Sequence, residues 1–449
     1  MSVSALDSRI FRGLFGTQEI RSVFSDEAYV AQLINTEASL ARAESAVGVI
    51  PAQAGKVITE ALSKIEINFE RLSRETEVVG YPVLPLVRQL TENVPEEMAK
   101  YIHWGATTQD IMDNASMLQI RSGLRIVWRE LDTLVKALES LADKYRDTPM
   151  TGRTHLQHAL PCTFGYKCAI YLSSILRHRE RLTEIERRCL LVQFGGAAGT
   201  LASLGDKGIE VRQQLAKELD LIDPDITWHV ARDAIAEIIN FLAPIGGSLG
   251  KIAYDVMIMS SNELSEVSEP FIPYRGASST MPQKRNPISS EIVLATSKLL
   301  RANAGLGLDA MVADFERATG PWHLEWAALP ESFVLAVGAL HQTNFAMAGL
   351  VVNVDTMYGN LQSTQGLIVG EAVMMGLAPI LGRQLAHEVV YEACQIATDQ
   401  KKPLYDVLKV QEAILVTGIE DKTIVSLCDP LNYMGASQKM VDRVREKIR

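Results

Sequence analysis

Apolar residues recur at intervals of three and four along stretches longer than one small domain needs. In 19–47 the repeat is marked by Val30, Leu33, Ile34 and Ala38. In 114–145 it runs through Leu118, Ile120, Leu124, Val127, Leu131, Leu134, Val135 and Leu138. Same-side residues of an α-helix lie three and four apart, so this period predicts amphipathic helices. The segments 164–192, 231–267 and 288–315 follow the same pattern. Globular helices usually run about 8–20 residues, whereas about 30 residues extend about 45 Å at the helical rise. Helices of that length bury their stripes along a bundle, and the outer ones often against other subunits. No stretch sustains period-two alternation rich in Val, Ile and Thr, and hairpin dipeptides such as Asn-Gly are absent. The expectation is an all-α chain. Pro244, Gly246 and Gly247 are expected to bend or interrupt the fourth long segment.

Composition narrows the function classes. The chain has 449 residues, of which 47% are hydrophobic, so a large core is available and disorder is excluded. A formal net charge of -10 with no dense basic run argues against a nucleic-acid partner. Five cysteines are too few, and odd in number, for a disulfide scaffold, and without CxxC pairing they give a structural zinc site no support. The N-terminus lacks a continuous apolar region and a small-residue cleavage site. The best apolar stretch, 238–250, is bounded by Glu237 and Lys251 and falls short of the roughly 20 residues a membrane span needs. A cytoplasmic protein without membrane association is expected. No Gly-, Ser- or Pro-rich linker divides the chain. Boundaries are expected at the breaks in 94–105 and 351–357.

Four stretches interrupt the helices with polar residues that core packing does not require. In YIHWGATTQD at 101–110, Thr107 and Thr108 either hold an anion with hydroxyls and helix-start N–H groups or serve as an ordinary N-cap. In MTGRTHLQH at 150–158, two histidines three apart can share a helical face. No carboxylate or third histidine lies nearby to complete a metal site. The choice is between a proton-transfer histidine flanked by hydroxyl and amide donors and satisfied structural histidines. QFGGAAGT at 193–200 is not GxGxxG and has no strand before it, so a dinucleotide site is not supported. It reads as a helix-terminating turn. GASSTMPQKRNP at 276–287 sets Gly, Ser, Pro, Lys, Arg and Asn between two long helices. Lys284 and Asn286 there can bind and polarise a carboxylate. A serine beside such cations and backbone N–H groups can become a base.

That last stretch resembles the signature GSSxMPxKxNP of the fumarase/aspartase superfamily, with Ala277 standing before the two serines. GATTQD at 105–110 resembles the family's TS-x-D segment, and GRTHLQH at 152–158 its T-H segment. The likeness extends over nearly the whole chain, to DPLNYMG at 429–435. It implies a mostly helical subunit of three domains, 1–105, 106–352 and 353–449, the middle one a bundle of long helices. It also implies a homotetramer whose active sites form where three subunits meet. The implied chemistry is β-elimination through an aci-carboxylate intermediate, usually releasing fumarate, with no metal or organic cofactor. By motif position Ser278 is the general base, and Lys284 and Asn286 bind the carboxylate that gains charge. Thr107, Thr108, Thr154 and Gln157 bind substrate carboxylates, and His103, Arg153 and Ser279 join the substrate-binding set. His155 falls where the family places either the acid for the leaving group or a substrate-orienting donor.

Within the family, FGGAAGTLASLG at 194–205, PWHLEWAALPE at 321–331 and TQGLIVGEA at 364–372 resemble the 3-carboxy-cis,cis-muconate cycloisomerase branch. That branch resembles GRTWLQH where this chain carries His155, and histidine there resembles the lyases that expel an amine or hydroxyl. The 325–333 region, apolar and acidic, offers a nucleotide phosphate few partners, unlike adenylosuccinate lyase. The favoured expectation is a C–N lyase acting on a small N-substituted aspartate or similar succinyl compound, with cycloisomerisation the alternative. A silent structural homologue, the remaining class, is disfavoured because Ser278, Lys284, Asn286 and His155 are all present.

Overall fold

The computed structural model describes residues 4–448 and is mostly helical. Among the described residues six helices exceed twenty residues: Asp26–Val47, Thr108–Lys144, Phe164–Cys189, Asp233–Met259, Ile288–Asp309 and Pro321–Ala348. The Thr108–Lys144 helix shows why. Leu124, Val127, Leu131, Leu134 and Leu138 are all fully buried, a three-four spacing that keeps one stripe off water for several turns. The expected single helix over 19–47 is two, Gln18–Val23 and Asp26–Val47. Ser25 starts the second, its hydroxyl accepting from the Ala28 N–H while Asp26 and Glu27 face the positive helix end.

The chain folds into two compact units, each assembled from separate stretches. The first takes residues up to Leu131, His178–Gly250 and Ile292–His341. The second takes Asp132–Arg177, Lys251–Glu291 and everything from Gln342 onward. In the first, close helix approach depends on missing side chains. A Cβ on Gly123 would sit 2.7 Å from the buried Phe333 ring, which also stacks on Phe24 at 5.1 Å. A Cβ on Gly246 would sit 2.6 Å from Leu300, and one on Gly250 would sit 2.9 Å from Ser297. Pro244 does not interrupt Asp233–Met259; the helix runs through it, the glycines beyond serving helix contact rather than a break. That helix is long and apolar enough to cross a membrane by length and composition alone, beyond the 238–250 stretch legible in sequence. However, 61% of its apolar window is buried inside the protein.

The second unit has its own apolar cluster, where Val373, Leu377, Val389, Ala393, Leu404 and Leu408 are packed out of water. It also holds the strands. Pro149–Thr154 and Gln157–Thr163 form an antiparallel hairpin, and Val267–Ser268 pairs with Val351–Val352. The hairpin departs from the all-α expectation, which placed His155 and His158 on a helical face. The fold is mainly helical, with two small two-stranded sheets among the described residues.

Candidate active site

The 276–287 stretch folds as a loop pinned at its neck. Ala277 bridges Arg285 in antiparallel fashion, and the Asn286 N–H donates to the Gly276 carbonyl at 2.9 Å. Gly276 is at φ 67°, and a Cβ there would lie 2.3 Å from the Asn286 oxygen, so only glycine closes this neck. Both flanks are anchored. Arg275 donates to Ser289 Oγ at 2.5 Å and Gln342 Oε1 at 2.8 Å, with its guanidinium over the Phe345 ring. Glu269 accepts from the Ser289 and Ser290 N–H groups and the Ser290 hydroxyl, capping the helix that follows.

Within the loop, Ser278 Oγ accepts from the backbone N–H groups of Thr280 at 3.3 Å and Met281 at 3.1 Å. Two donors aimed at one hydroxyl oxygen favour negative charge on it. Lys284, Arg285 and Asn286 line a 640 Å³ cavity of the second unit, together with Arg275, Glu269 and Asn353. Three cations meet one carboxylate there. Glu269 is spent on the helix cap, and the Arg285 guanidinium lies over the Phe271 ring at 4.4 Å. The cavity therefore favours an anion. Ser278 and Ser279 lie in the same loop but are not among the residues lining it.

The hairpin presents the second group. Thr154 pairs with Gln157, leaving a two-residue turn of His155 at φ 52° and Leu156 at φ 65°. Such turns normally take Asn or Gly at both places, so a His-Leu pair stores strain at the tip. His155, Leu156 and Gln157 are exposed, as is Thr154 beside them. Arg153 behaves differently. Its guanidinium grips the fully buried Glu266 with two bonds of 2.6 and 2.9 Å, and Asn360 donates to the same carboxylate. That charge is already matched inside the unit. His158 has its pKa lowered by burial and by nearby Arg153, which keeps it neutral.

In the first unit, Thr107 and Thr108 stand half-buried where the Thr108–Lys144 helix begins. The Thr107 N–H donates to Asp110 Oδ2, and the same carboxylate accepts from the Gly195 and Gly196 N–H groups, each at 2.9 Å. The His229 Nε2 completes the set, 2.7 Å from Asp110 Oδ1, both side chains buried. This one carboxylate joins the threonine turn to the FGGAAG turn. His103, at φ 60°, lies 2.7 Å from the buried Glu37 carboxylate. Burial pushes its pKa down, but the Glu37 charge and hydrogen bond more than offset this, and it is raised. The sequence does not single out Asp110, His229 or Glu37. Asp110 stands inside the 101–110 stretch, whereas Glu37 and His229 sit in plain helical and loop contexts without local signal.

The site residues expected from sequence thus fall into two groups. His103, Thr107 and Thr108 belong to the first unit. Arg153, Thr154, His155, Gln157, Ser278, Ser279, Lys284 and Asn286 belong to the second. Within the second unit Lys284 and Asn286 line one cavity together. Among the described residues no group of three or more His, Cys, Asp or Glu is placed to hold a metal ion.

The sequence pattern described as Lyase matches residues 14–301, and that described as Adenylosuccinate lyase C-terminus matches 366–444. Trans-aconitate decarboxylase 1 of Mycosarcoma maydis is 45% identical over 431 residues, covering 96% of this chain and 87% of its own. The 3-carboxy-cis,cis-muconate cycloisomerase of Acinetobacter baylyi is 40% identical over 447 residues, covering 98% and 99%. The crystal structure of a fumarate lyase from Mesorhizobium sp. BNC1 superposes with a TM-score of 0.91 at 49% identity, covering 96% of this chain and 98% of that one.

Proposed function

The chain belongs to the fumarase/aspartase superfamily of lyases, and from that premise we propose that it catalyses β-elimination from a small succinyl-type di- or tricarboxylate. Ser278 acts as the base. It takes the proton from the carbon beside a carboxylate, and the electron pair left behind moves into that carboxylate as an aci-carboxylate. Lys284 and Asn286 hold the added charge. Collapse forms the double bond and expels the group on the neighbouring carbon, which leaves with a proton supplied by His155. Thr107, Thr108, Thr154 and Gln157 hold substrate carboxylates, joined by His103 and Ser279. The C–N bond of an N-substituted aspartate is the favoured one to break, with fumarate as the unsaturated product. The fumarate lyase at 49% identity supports that product.

One observation carries this reading. A single pinned loop gives Ser278 Oγ two N–H donors and gives a cation-rich cavity its Lys284 and Asn286. A serine hydroxyl is a poor base in water, and preorganised donors are the means by which a protein changes that.

A second reading has its own support. The cycloisomerase and the trans-aconitate decarboxylase match this chain at 40% and 45% identity, and both names specify unsaturated polycarboxylates. Stabilising a carbanion beside a carboxylate serves lactone opening or loss of CO2 equally well. The discriminating experiment incubates purified protein separately with a succinyl amine, adenylosuccinate, 3-carboxy-cis,cis-muconate and trans-aconitate. Absorbance and mass of the product are followed. Conversion of the succinyl amine to fumarate is expected. Turnover of carboxymuconate or aconitate alone transfers the assignment to the second reading.

The proposal includes a homotetramer with sites completed by neighbouring subunits, and three domains at 1–105, 106–352 and 353–449. Exposed leucines on one long helix, Leu299, Leu306 and Leu308, support association. Five free cysteines suit a cytoplasmic, reducing setting.

A further inference from the structure

The first unit encloses another cavity, of 410 Å³, that none of the chemistry above uses. Part of its wall is aromatic. Trp322 and Trp326 line it with rings 5.2 Å apart, edge to face, and Tyr81 stacks on Trp322 at 5.7 Å. Its ionisable lining is acidic: Asp26, Asp113 and Glu325 contribute carboxylates, and among the described residues no Lys, Arg or His lines it.

Two of those carboxylates are buried around one cation. Arg232 binds Asp113 at 2.7 and 3.0 Å and Glu325 at 2.9 and 2.5 Å, with all three side chains nearly inaccessible. Two carboxylates sharing one guanidinium leave one negative charge uncompensated, an expensive arrangement away from water. Burial raises the Glu325 pKa for the same reason. The cavity also holds an unmet polar atom, because Thr76 Oγ1 is buried with no hydrogen-bond partner.

We propose that this cavity binds a small organic ammonium ion. A cation balances the surplus carboxylate charge and is attracted to electron-rich indole faces. Its N–H groups offer the Thr76 hydroxyl a donor. An anion meets repulsion from Asp26, Asp113 and Glu325, and a neutral molecule of the same shape gains none of the electrostatic attraction. The amine released by a C–N elimination is one such ion. That identification rests on the proposed function, whereas the site itself does not.

The test compares cyclohexylammonium, cyclohexanol and cyclohexanecarboxylate, which share a ring and differ in charge. Binding to the full chain is followed by calorimetry and by tryptophan fluorescence. The ammonium is expected to bind saturably, one per chain and about tenfold tighter than the alcohol, with no binding of the carboxylate. Trp326→Leu and Asp26→Asn, both at partly exposed positions, each weaken ammonium binding while the far-ultraviolet spectrum stays native. Equal affinity for the alcohol, no saturable ammonium binding, or affinity untouched by both substitutions overturns the proposal. Because no turnover is read, any of these results leaves the elimination chemistry standing.

Discussion

At the scale of single residues, two side chains on the Asp26–Val47 helix make the first unit's stability depend on pH. Glu37 holds the His103 pKa above its ordinary 6.5. A raised histidine contributes stability that is fully present below 6.5 and is lost as pH rises through the folded-state value. Glu37→Gln should therefore lower the His103 pKa, read from its ring proton shifts in an NMR titration; an unmoved pKa would show that the carboxylate is not the cause. Glu44 moves stability in the same direction with pH, through a neutral rather than a charged folded form. It is buried with neither oxygen hydrogen-bonded, and burial followed by the Glu37 charge pushes its pKa from 4.5 up to about 9. The folded state holds this proton while the unfolded state releases it, so stability falls as pH rises from 4.5 towards about 9. Glu44→Gln, which keeps the neutral shape, should be more stable than the parent by a margin that widens over that window. Urea melts at several pH values read this directly, and a constant margin would count against a protonated Glu44.

At the scale of elements, the strain at the hairpin tip is measurable. Leu156 occupies φ 65° while 70% exposed, so it bears the left-handed penalty without burial to offset it. Leu156→Gly should stabilise the chain by about 1 kcal/mol in urea unfolding; a loss of stability would mean that the leucine makes contacts outweighing the strain. The neck of the 276–287 loop makes the converse case. Gly276→Ala should cut turnover sharply while the far-ultraviolet spectrum stays native, because the added Cβ collides with Asn286 and not with a helix. These elements also show what was legible in the sequence. The long helices were, since a stripe such as Leu124 to Leu138 writes burial directly into spacing. The hairpin was not, because its turn uses His and Leu where the recognisable signal is Asn-Gly. The serine loop announced itself by local composition. The Glu37–His103 and Asp110–His229 pairs did not, being joined across 66 and 119 residues of chain. A contact made by tertiary folding leaves no mark at either end of such a separation.

At the scale of the whole molecule, the proposed function includes association with further copies of the chain. His103, Thr107 and Thr108 fall in one compact unit, and Ser278, Lys284, Asn286 and His155 in the other. A net charge of -10 gives no long-range attraction for a polycarboxylate, so attraction must come from local cations such as Lys284 and Arg285. Light scattering at micromolar concentration should report a tetramer; a monomer that still turns over substrate would contradict sites completed by neighbouring subunits. In the proposed function, Ser278 on its pinned loop removes the proton that starts elimination. The most direct measurement is steady-state turnover of a succinyl amine by the parent protein and by Ser278→Ala, with melting temperature and oligomer mass checked in parallel. The variant should keep its fold and assembly but lose turnover by about a hundred- to ten-thousand-fold. A folded, assembled variant with near-parental turnover would contradict it.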